Sequence, residues 1–339
     1  MGYDEFQPGN KFDFDSTKAV MCLYFNFVEI DDAAQGSTWF APVAVRTSEI
    51  NDVVGGWSRV LACILHRMFL GPNGFSTAGC AFTHEDRHYV VFAGLRVLMS
   101  DGDGLRKGLG WKGASAIRAS IIHSNMLKKG SDLARRAPGF VEVTCCDHRL
   151  LHKTTPEEFQ HSCDLVAAAH ARHREGQISG VLLENISKTE GMNYVPGGLA
   201  YDSRLRGLGF FETITVDWVH TWLQDGVFTV EAALIVRAHG AASTPERLRT
   251  FLQLPWSFPK DMVGKGKLLW RIFSKHRLDS NDEVDKVRAS ASELLGLYSL
   301  MRHFFATQVD HTPALQPNLD SFQACCDVLD CILAAKKHL

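Results

Sequence analysis

The segment 88-HYVVFAGLRVLMSDGDGLRKGLGWKG-113 changes character in its middle, and that change is the strongest fold signal in the chain. Its first half, 88–99, is an apolar run rich in β-branched and aromatic residues, which favours a β-strand. Asp101 and Asp103 follow between small residues, and a basic tract begins directly after them. An acid at the carboxyl end of a strand projects into the cleft where α/β sheets bind ligands. A carboxylate site for a metal is therefore one interpretation, and a tight Asp-Gly turn is the other.

Further strand-like runs surround this segment between residues 18 and 145. They are short and bounded by Gly, Asp or Pro, and they comprise 20–30, 38–46 and 140–145. A helix-length stretch at 49–69 carries apolar residues at helical spacing. The order strand, strand, helix, strand, basic helix-like segment, strand predicts a mixed α/β sheet with hairpin and crossover connections.

Helices dominate the pattern after residue 150. Thr155 and Glu158 supply an N-cap and a capping-box acid around Pro156, which predicts a helix over 156–175. Ser280 and Glu283 form the same capping pattern before a predicted helix at 284–305. The last helix has one apolar face, typical of core packing, formed by Phe322, Cys325, Cys326, Leu329, Ile332 and Leu333.

Composition bounds the class of protein. The chain has 339 residues, of which 45% are hydrophobic and 22% charged, as in soluble globular proteins. Its net charge of -2 argues against a polyelectrolyte binder over the whole chain. Nine irregularly spaced cysteines do not resemble a secreted disulfide framework. No apolar stretch spans a bilayer and no signal-peptide order begins the chain, so we expect an intracellular protein with no membrane partner. The oligomeric state stays unknown.

Two local tracts are strongly basic despite the near-neutral total. Residues 105–136 include eight Lys and Arg residues and one acidic residue. Residues 260–277 include six basic residues and one acidic residue, with aromatic residues interleaved. Basic side chains bind phosphates and aromatic rings stack on bases, so DNA is a possible partner. Solvated helix faces are the alternative. The residues assigned to nucleic-acid binding are Arg106, Lys107, Lys112, Lys128, Lys129, Arg135, Arg136, Lys265, Lys267 and Arg271.

Other constellations are weaker. In 216-VDWVHTWL-223, Asp217 and His220 are three residues apart, so the acid orients the imidazole if the segment is helical, or the two form a surface pair. The Cys and His residues of 145–173 lack a CxxC pair with a matching HxxxH partner, which makes zinc unlikely. No nucleophile elbow, Walker loop or dinucleotide fingerprint is present, which excludes the corresponding enzyme classes.

Seven segments in this order resemble transposase-derived proteins of the RNase H-like (DDE) type, in particular the divergent CACTA- and KDZ-type transposase-like proteins of protist genomes. The segments extend over most of the chain: 3-YDEFQPGNK-11, 55-GGWSRVL-61, 99-MSDGDGLRKGLGWKGAS-115, 128-KKGSDLARRAPGFVEVTC-145, 198-GLAYDSRLR-206, 217-DWVHTWL-223 and 292-SELLGLYSLMRHF-304.

The resemblance implies an α/β fold, an RNase H-like mixed sheet with a large helical insertion. It implies an α/β core at 1–150, the insertion at 151–280 and C-terminal helices at 281–339 that complete the core. Such a core runs three strands, a helix, a fourth strand, then helices and a further strand.

The three catalytic acids of the family correspond to four residues of this chain, because two residues are candidates for the second acid. Asp4 takes the first place, Asp101 or Asp103 the second, and Glu293 the third, where they would act as catalytic acids and hold Mg²⁺ or Mn²⁺. Asp217 and His220 match the Cys/Asp-x-x-His motif of the helical insertion.

The chain begins three residues before Asp4, so the first strand is expected to be absent or reduced to 1–3. The resemblance then implies a nucleic-acid-binding protein, nuclear if it binds DNA, in which metal-dependent DNA cleavage and transfer is degenerate. A catalytically inactive globular remnant, or a protein-interaction scaffold without nucleic-acid binding, is the alternative. Whether the chain is an enzyme stays open.

Overall fold

A computed structural model describes residues 1–6, 19–29, 39–132, 139–145, 147–224, 226–239, 244–253, 272, 278–279 and 286–335. These residues divide into two compact units, Met1–Val216 and Asp217–Leu339. Within the described ranges, no helix combines the length and the hydrophobicity that a membrane crossing requires.

The first unit carries a mixed set of strands and helices. Its strands are β1 (Gly2–Phe6), β2 (Val20–Phe25), β3 (Phe40–Arg46), β4 (Cys80–His84), β5 (Arg87–Val91), β6 (Leu98–Ser100), β7 (Met126–Leu127), β8 (Val141–Glu142) and β9 (Ile214–Val216). Its α-helices are α1 (Thr47–Asn51), α2 (Gly56–Leu65), α3 (Gly102–Leu109), α4 (Pro156–Arg174) and α5 (Gly180–Glu190). A π-helical turn at His66–Leu70 extends α2, and 3₁₀ turns lie at Gly113–Ser115, His148–Leu150, Ser203–Leu208 and Phe210–Thr213.

The main sheet has five strands in the order β3-β2-β1-β6-β9. Antiparallel pairing joins β3 to β2 and β2 to β1, whereas β1 pairs parallel with β6 and β6 parallel with β9. The predicted mixed α/β sheet with hairpin and crossover connections is therefore confirmed. Smaller two-stranded pairs join β4 to β5 and β7 to β8.

The first strand differs from the expectation that it is absent or reduced to 1–3. It spans Gly2–Phe6 and lies in the middle of the main sheet, paired along its whole length with β2. Tyr3 is completely buried. Because a strand needs neighbours rather than length to be stable, five residues between two partners suffice.

The apolar run 88–99 forms two elements instead of one strand. Its first part lies in β5, which forms a hairpin with β4, and its last part lies in β6 of the main sheet. Glu85 and Asp86 close the hairpin with φ angles of 48° and 61°, the left-handed conformation that a tight two-residue turn requires. Periodicity could not separate the two parts, because both are apolar and β-branched.

Glycines also shorten two predicted helices. The stretch 49–69 divides into α1 and α2, since Gly55 before α2 has a φ of 91°. The basic helix-like segment ends with α3 at Leu109, because Gly110 adopts a left-handed φ of 76° and terminates the helix. The strand predicted at 140–145 is only the two residues of β8.

The core of the first unit forms between the main sheet and the helices that pack on it. Its buried residues include Leu23 from β2, Leu61 from α2, Leu98 from β6, Leu105 from α3 and Val166 from α4. The predicted helix at 156–175 is confirmed as α4, with its capping box at Thr155 and Glu158. Helices α4 and α5 belong to this unit, whereas the division at 150 and 280 stays a prediction.

The second unit is mainly helical in its described part. Its elements are the π-helical turn Val219–Leu223, α6 (Val227–His239), α7 (Thr244–Leu252), β10 (Leu278–Asp279), β11 (Lys286–Val287), α8 (Ala291–Gln308) and α9 (Gln316–Ala335). Strands β10 and β11 pair antiparallel. The core includes Phe228, Phe304, Phe305 and Leu329.

Two predictions about this unit have different outcomes. On α9, Phe322, Cys325, Cys326 and Leu329 are buried, which confirms that part of the predicted face as core, whereas Ile332 and Leu333 near its end are only partly buried. The helix predicted at 284–305 instead begins at Ala291, because Ser290 and Glu293 form its capping box. The capping pattern predicted at Ser280 and Glu283 lies outside the described residues.

Candidate functional site

Two of the predicted acids lie on neighbouring strands of the main sheet. Gly2 of β1 pairs with Met99 of β6, so Asp4 and Asp101 each lie two residues beyond a paired position on parallel strands. The buried Ser100 hydroxyl donates to the Tyr3 carbonyl over 2.9 Å, which joins the strands at this point. The structure therefore places Asp101 just beyond the carboxyl end of β6 and Asp4 at the same level within β1, at this edge of the sheet.

Asp101 connects β6 to α3 as a helix cap. It directly follows β6, and its Oδ1 accepts a hydrogen bond from the Gly104 amide over 2.5 Å. A Cβ atom at Gly104 would overlap the Ser100 hydroxyl and lie 2.9 Å from Asp101 Oδ1. The DGDG segment thus connects a strand directly to a helix, in which Asp101 is the N-cap and glycine is required at position 104.

Asp103 has a different environment on the first turn of α3. Its carboxylate is 56% exposed and forms ion pairs with Arg106 over 3.4 Å and with Lys107 over 3.0 Å. An acid in the first helical turn also interacts favourably with the helix dipole. Of the two competing residues, Asp101 is the one at the strand end.

Asp4 lies on the opposite face of β1 from Tyr3 and Glu5, since successive side chains of a strand alternate. It faces Cys22 of β2 in the strand register, and its Oδ1 accepts from the Glu5 amide over 2.7 Å. Burial, together with the charge of Asp4, raises the pKa of the Cys22 thiol.

Glu5 is a residue of this edge that the sequence analysis missed. Lys107 donates to its Oε2 over 2.5 Å, and the Thr47 hydroxyl donates to its Oε1 over 2.5 Å. Partial burial alone would raise the pKa of the Glu5 carboxyl, but the bonds from Lys107 and Thr47 outweigh it and lower the pKa. The sequence pattern that could have identified Glu5 is the alternation of side chains in 3-YDEF-6, which puts Glu5 on the same face of the strand as the buried Tyr3.

Four of the eight basic residues predicted in the tract 105–136 form ion pairs with acids of the first unit. Arg106 and Lys107 pair with Asp103, and Lys107 also pairs with Glu5. Two further pairs join Lys112 to Glu184 over 3.1 Å and Arg118 to Glu190 over 3.7 Å. Lys128 and Lys129 are exposed. The predicted residues Arg135, Arg136, Lys265, Lys267 and Arg271 lie outside the described part of the chain.

The remaining predicted residues lie in the second unit. His220 Nδ1 and Asp217 Oδ2 are 2.6 Å apart, and Asp217 Oδ1 accepts from the Val219 amide over 2.9 Å. The structure therefore brings this pair together at the start of a helical turn. Glu293 is the capping-box acid of α8, where its Oε2 accepts from the Ser290 amide over 2.9 Å.

The acids at the strand ends do not form a metal site as they are arranged. Among the residues that the structure describes, no group of three or more His, Cys, Asp or Glu side chains could hold a metal ion. Carboxylate oxygens are the donors that Mg²⁺ prefers, but both oxygens of Glu5 and of Asp103 already bond to hydroxyl or basic groups of the chain. The assignment of Mg²⁺ or Mn²⁺ to these acids stays a prediction from the resemblance, and this arrangement does not support it.

Comparison with known proteins adds no relative to this description: no protein-family model, no curated protein and no solved structure matches the chain.

Proposed function

We propose that the chain is a transposase-derived protein of the RNase H-like type that binds nucleic acid and has lost metal-dependent strand cleavage. One observation carries the proposal. Asp4 lies on the central strand of a mixed sheet, and Asp101 follows the parallel strand beside it. This is the relation between the first and second acids that the resemblance implies.

The order of the elements supports the same scaffold. Along the chain, the main sheet is built from three strands, then the helix α2, then β6, then further helices and finally β9. The resemblance implies the same succession, with β4 and β5 as an added hairpin between α2 and β6. In this proposal α4 and α5 begin the large helical insertion, and Asp217 and His220 match the Cys/Asp-x-x-His motif that the resemblance implies for it.

Loss of chemistry is the part of the proposal that the acids support. Asp101 caps α3, and Glu293 caps α8 within the second unit. Each carboxylate therefore has a structural role that can retain the residue without any metal. The proposed protein binds a phosphodiester backbone and leaves it intact.

Nucleic-acid contact is proposed for the basic side chains that remain exposed. In the described part of the first unit, these include Lys128 and Lys129 directly after β7. Such contacts release condensed counterions, so the affinity depends steeply on salt and weakly on base sequence. A DNA partner would place the protein in the nucleus.

The test is fluorescence anisotropy with labelled single- and double-stranded DNA over a series of salt concentrations. The wild type should bind with a salt-dependent affinity, and the variant Lys128→Gln/Lys129→Gln should bind more weakly, with the salt slope reduced by about 2. Arg172→Gln/Arg174→Gln, at exposed positions in the last turn of α4, removes the same charge elsewhere and should change little.

Two results would count against the proposal. Absence of salt-dependent binding in the wild type would favour the protein-interaction scaffold or the inert remnant. Cleavage of the DNA on addition of Mg²⁺ or Mn²⁺, lost in Asp101→Asn, would show that the chemistry persists. The expected product after incubation is intact DNA.

A further inference from the structure

A cavity of about 600 Å³ lies at the amino ends of the two parallel strands β1 and β6. Met1, directly before β1, and residues 95–97, directly before β6, contribute to its wall. Asp101 follows the opposite end of β6, so the cavity is separate from the acids described above. Its volume is within the ~300–1,000 Å³ that small-molecule sites have.

Aromatic rings form much of the cavity wall. The ring centroid of Phe27 lies 5.7 Å from that of Phe25 and 5.9 Å from that of Phe75, at interplanar angles of 88° and 84°. The Phe75 ring in turn lies 6.0 Å from the Phe69 ring. Edge-to-face contacts of this kind orient each ring. A fifth ring, that of Phe92, is 65% exposed and adds an open apolar surface, so the wall suits a flat ring system.

The wall segment before β6 is anchored to its neighbours. The Ala93 amide donates to the Phe75 carbonyl over 3.2 Å, and the Ser76 hydroxyl donates to the Ala93 carbonyl over 3.2 Å. The side chain of Leu95 is buried in the core of the first unit. Arg96 follows Leu95 directly and therefore extends from a backbone whose position is constrained.

Charge in the cavity wall is sparse. Among the described residues that line the cavity, Arg96 and Glu29 alone carry charged side chains. Both are exposed, and neither forms an ion pair or a side-chain hydrogen bond with another residue of the described ranges. Glu29 lies beside Val28, which is 72% exposed, so solvent and salt screen its charge. The planar guanidinium of Arg96 presents donors that match both oxygens of a carboxylate.

We propose that this cavity binds a small aromatic carboxylate, whose ring packs against the phenylalanine wall and whose carboxylate is bound by Arg96. Burial of apolar surface supplies affinity, and the charge-assisted hydrogen bonds from the guanidinium determine which charge the ligand carries. The inference goes beyond the proposed function, since neither nucleic acid nor the acids of the main sheet take part in it.

Ligand-observed NMR titrations with three probes of one shape test the class of ligand. The probes are 2-naphthoate, the neutral 2-naphthamide and the cationic 2-naphthylmethylamine. The wild type should bind 2-naphthoate with a Kd of about 1 mM or below, as expected for a ligand of this size, and should bind both analogues more weakly. Absence of 2-naphthoate binding at about 1 mM, or equal or tighter binding of either analogue, would overturn the inference.

Arg96→Gln tests the carboxylate contact. It should weaken 2-naphthoate binding about fivefold or more and change 2-naphthamide binding by less than about twofold, because only the charged probe loses an ion pair. Arg87→Gln is the matched control, since Arg87 is an exposed arginine of β5 that does not line the cavity. Equal losses of 2-naphthoate affinity in the two variants would contradict the role of Arg96.

Phe92→Ala tests the ring contact. It should weaken the binding of 2-naphthoate and of 2-naphthamide alike, by about threefold or more, because both probes present the same ring. Phe82→Ala removes another exposed ring, on β4 and outside the cavity wall, and should change neither affinity. Because both rings are exposed, both variants should fold. An equal effect of the two variants would contradict binding at this wall.

A measurement on the wild type locates the site without any variant. Met68 lines the cavity, whereas Met301 is buried in the core of the second unit. In ¹³C-methyl-methionine NMR spectra, 2-naphthoate should shift the Met68 signal through its ring current and leave the Met301 signal unchanged. Binding of 2-naphthoate with an unshifted Met68 signal would overturn the inference. Because no nucleic acid is present, failure of DNA binding in the previous experiment leaves this result unaffected.

Discussion

Gly104 and Gly108 lie one turn apart on α3 and allow this helix to approach β6 and β1 closely. A Cβ atom at Gly104 would overlap the Ser100 hydroxyl, and one at Gly108 would overlap the Tyr3 hydroxyl. Gly102 has open space around it. The two glycines lie close to Asp101 and Lys107, so the absence of two side chains allows the packing of α3 that positions these residues.

Gly104→Ala should therefore destabilise the protein by about 1–3 kcal/mol, the usual range for overpacking a tightly packed position. Gly102→Ala is the matched control in the same helix. It should be neutral or stabilising by up to about 1 kcal/mol, because alanine favours the helix and meets no neighbour. Chemical denaturation of both variants measures the difference, and equal effects would contradict the packing described for α3.

The Glu5–Lys107 pair also predicts a pH dependence of stability. The folded pKa of Glu5 is lowered, so its contribution is present above the unfolded pKa of about 4.3 and is lost as the pH falls through the folded pKa. The folded pKa of Lys107 is raised, so its contribution is lost as the pH rises through a value above about 10.4.

Glu5→Gln should cost about 1 kcal/mol near pH 7, a modest value because both side chains are partly exposed. The difference from the wild type should shrink at acidic pH and at strongly alkaline pH. Urea denaturation at a series of pH values measures it, with Glu157→Gln as an exposed surface control. A pH-independent difference would contradict the role of the ion pair.

At the level of elements, capping explains where two helices begin. Thr155 and Glu158 open α4, and Ser290 and Glu293 open α8 with the same reciprocal hydrogen bonds. A capping box satisfies two backbone amides that would otherwise lack partners at a helix start. Glu293, the predicted third acid, is thus accounted for within its own helix.

Ser290→Ala should destabilise the second unit by about 1 kcal/mol, the typical cost of removing an N-cap side chain. Glu293→Gln should be nearly neutral, since an amide oxygen can accept the same hydrogen bond from the Ser290 amide. Thermal unfolding measures both, and Ser299→Ala at an exposed position within α8 controls for the loss of a hydroxyl. A larger cost for Glu293→Gln than for Ser290→Ala would argue against the capping role.

At the level of the whole molecule, each unit has its own buried core. The cluster of the first unit is drawn from residues up to 216, and that of the second from residues after 217. Units with separate cores can open by separate unfolding events. Loss of a core side chain in one unit should then destabilise that unit first.

Phe304→Ala should destabilise the second unit by about 3–5 kcal/mol, because the ring is completely buried and its removal leaves a cavity. Hydrogen exchange followed by mass spectrometry should show faster exchange in α6, α8 and α9. Leu61→Ala, at a fully buried position of α2, should give the reciprocal pattern in the first unit. Equal acceleration throughout both units by either variant would contradict separate unfolding.

The sequence alone determined the features that depend on neighbouring residues. The mixed α/β class, the capping box and extent of α4, and the buried face of α9 follow from spacing and from backbone preferences within a few residues. Asp101 directly after a strand was predictable for the same reason. No local sequence pattern could decide whether Asp101 binds a metal ion.

Only the tertiary structure decided which strands pair and which charges meet. It divided the run 88–99 between a hairpin and the main sheet, and it made the five residues of β1 a central strand. Glu5 meets Lys107, and Glu184 meets Lys112, across 102 and 72 residues of sequence. Counting charges along the sequence identifies a basic tract but not the acids that pair with it. Folding brings those acids close, because packing rather than sequence distance determines which groups lie within hydrogen-bonding reach.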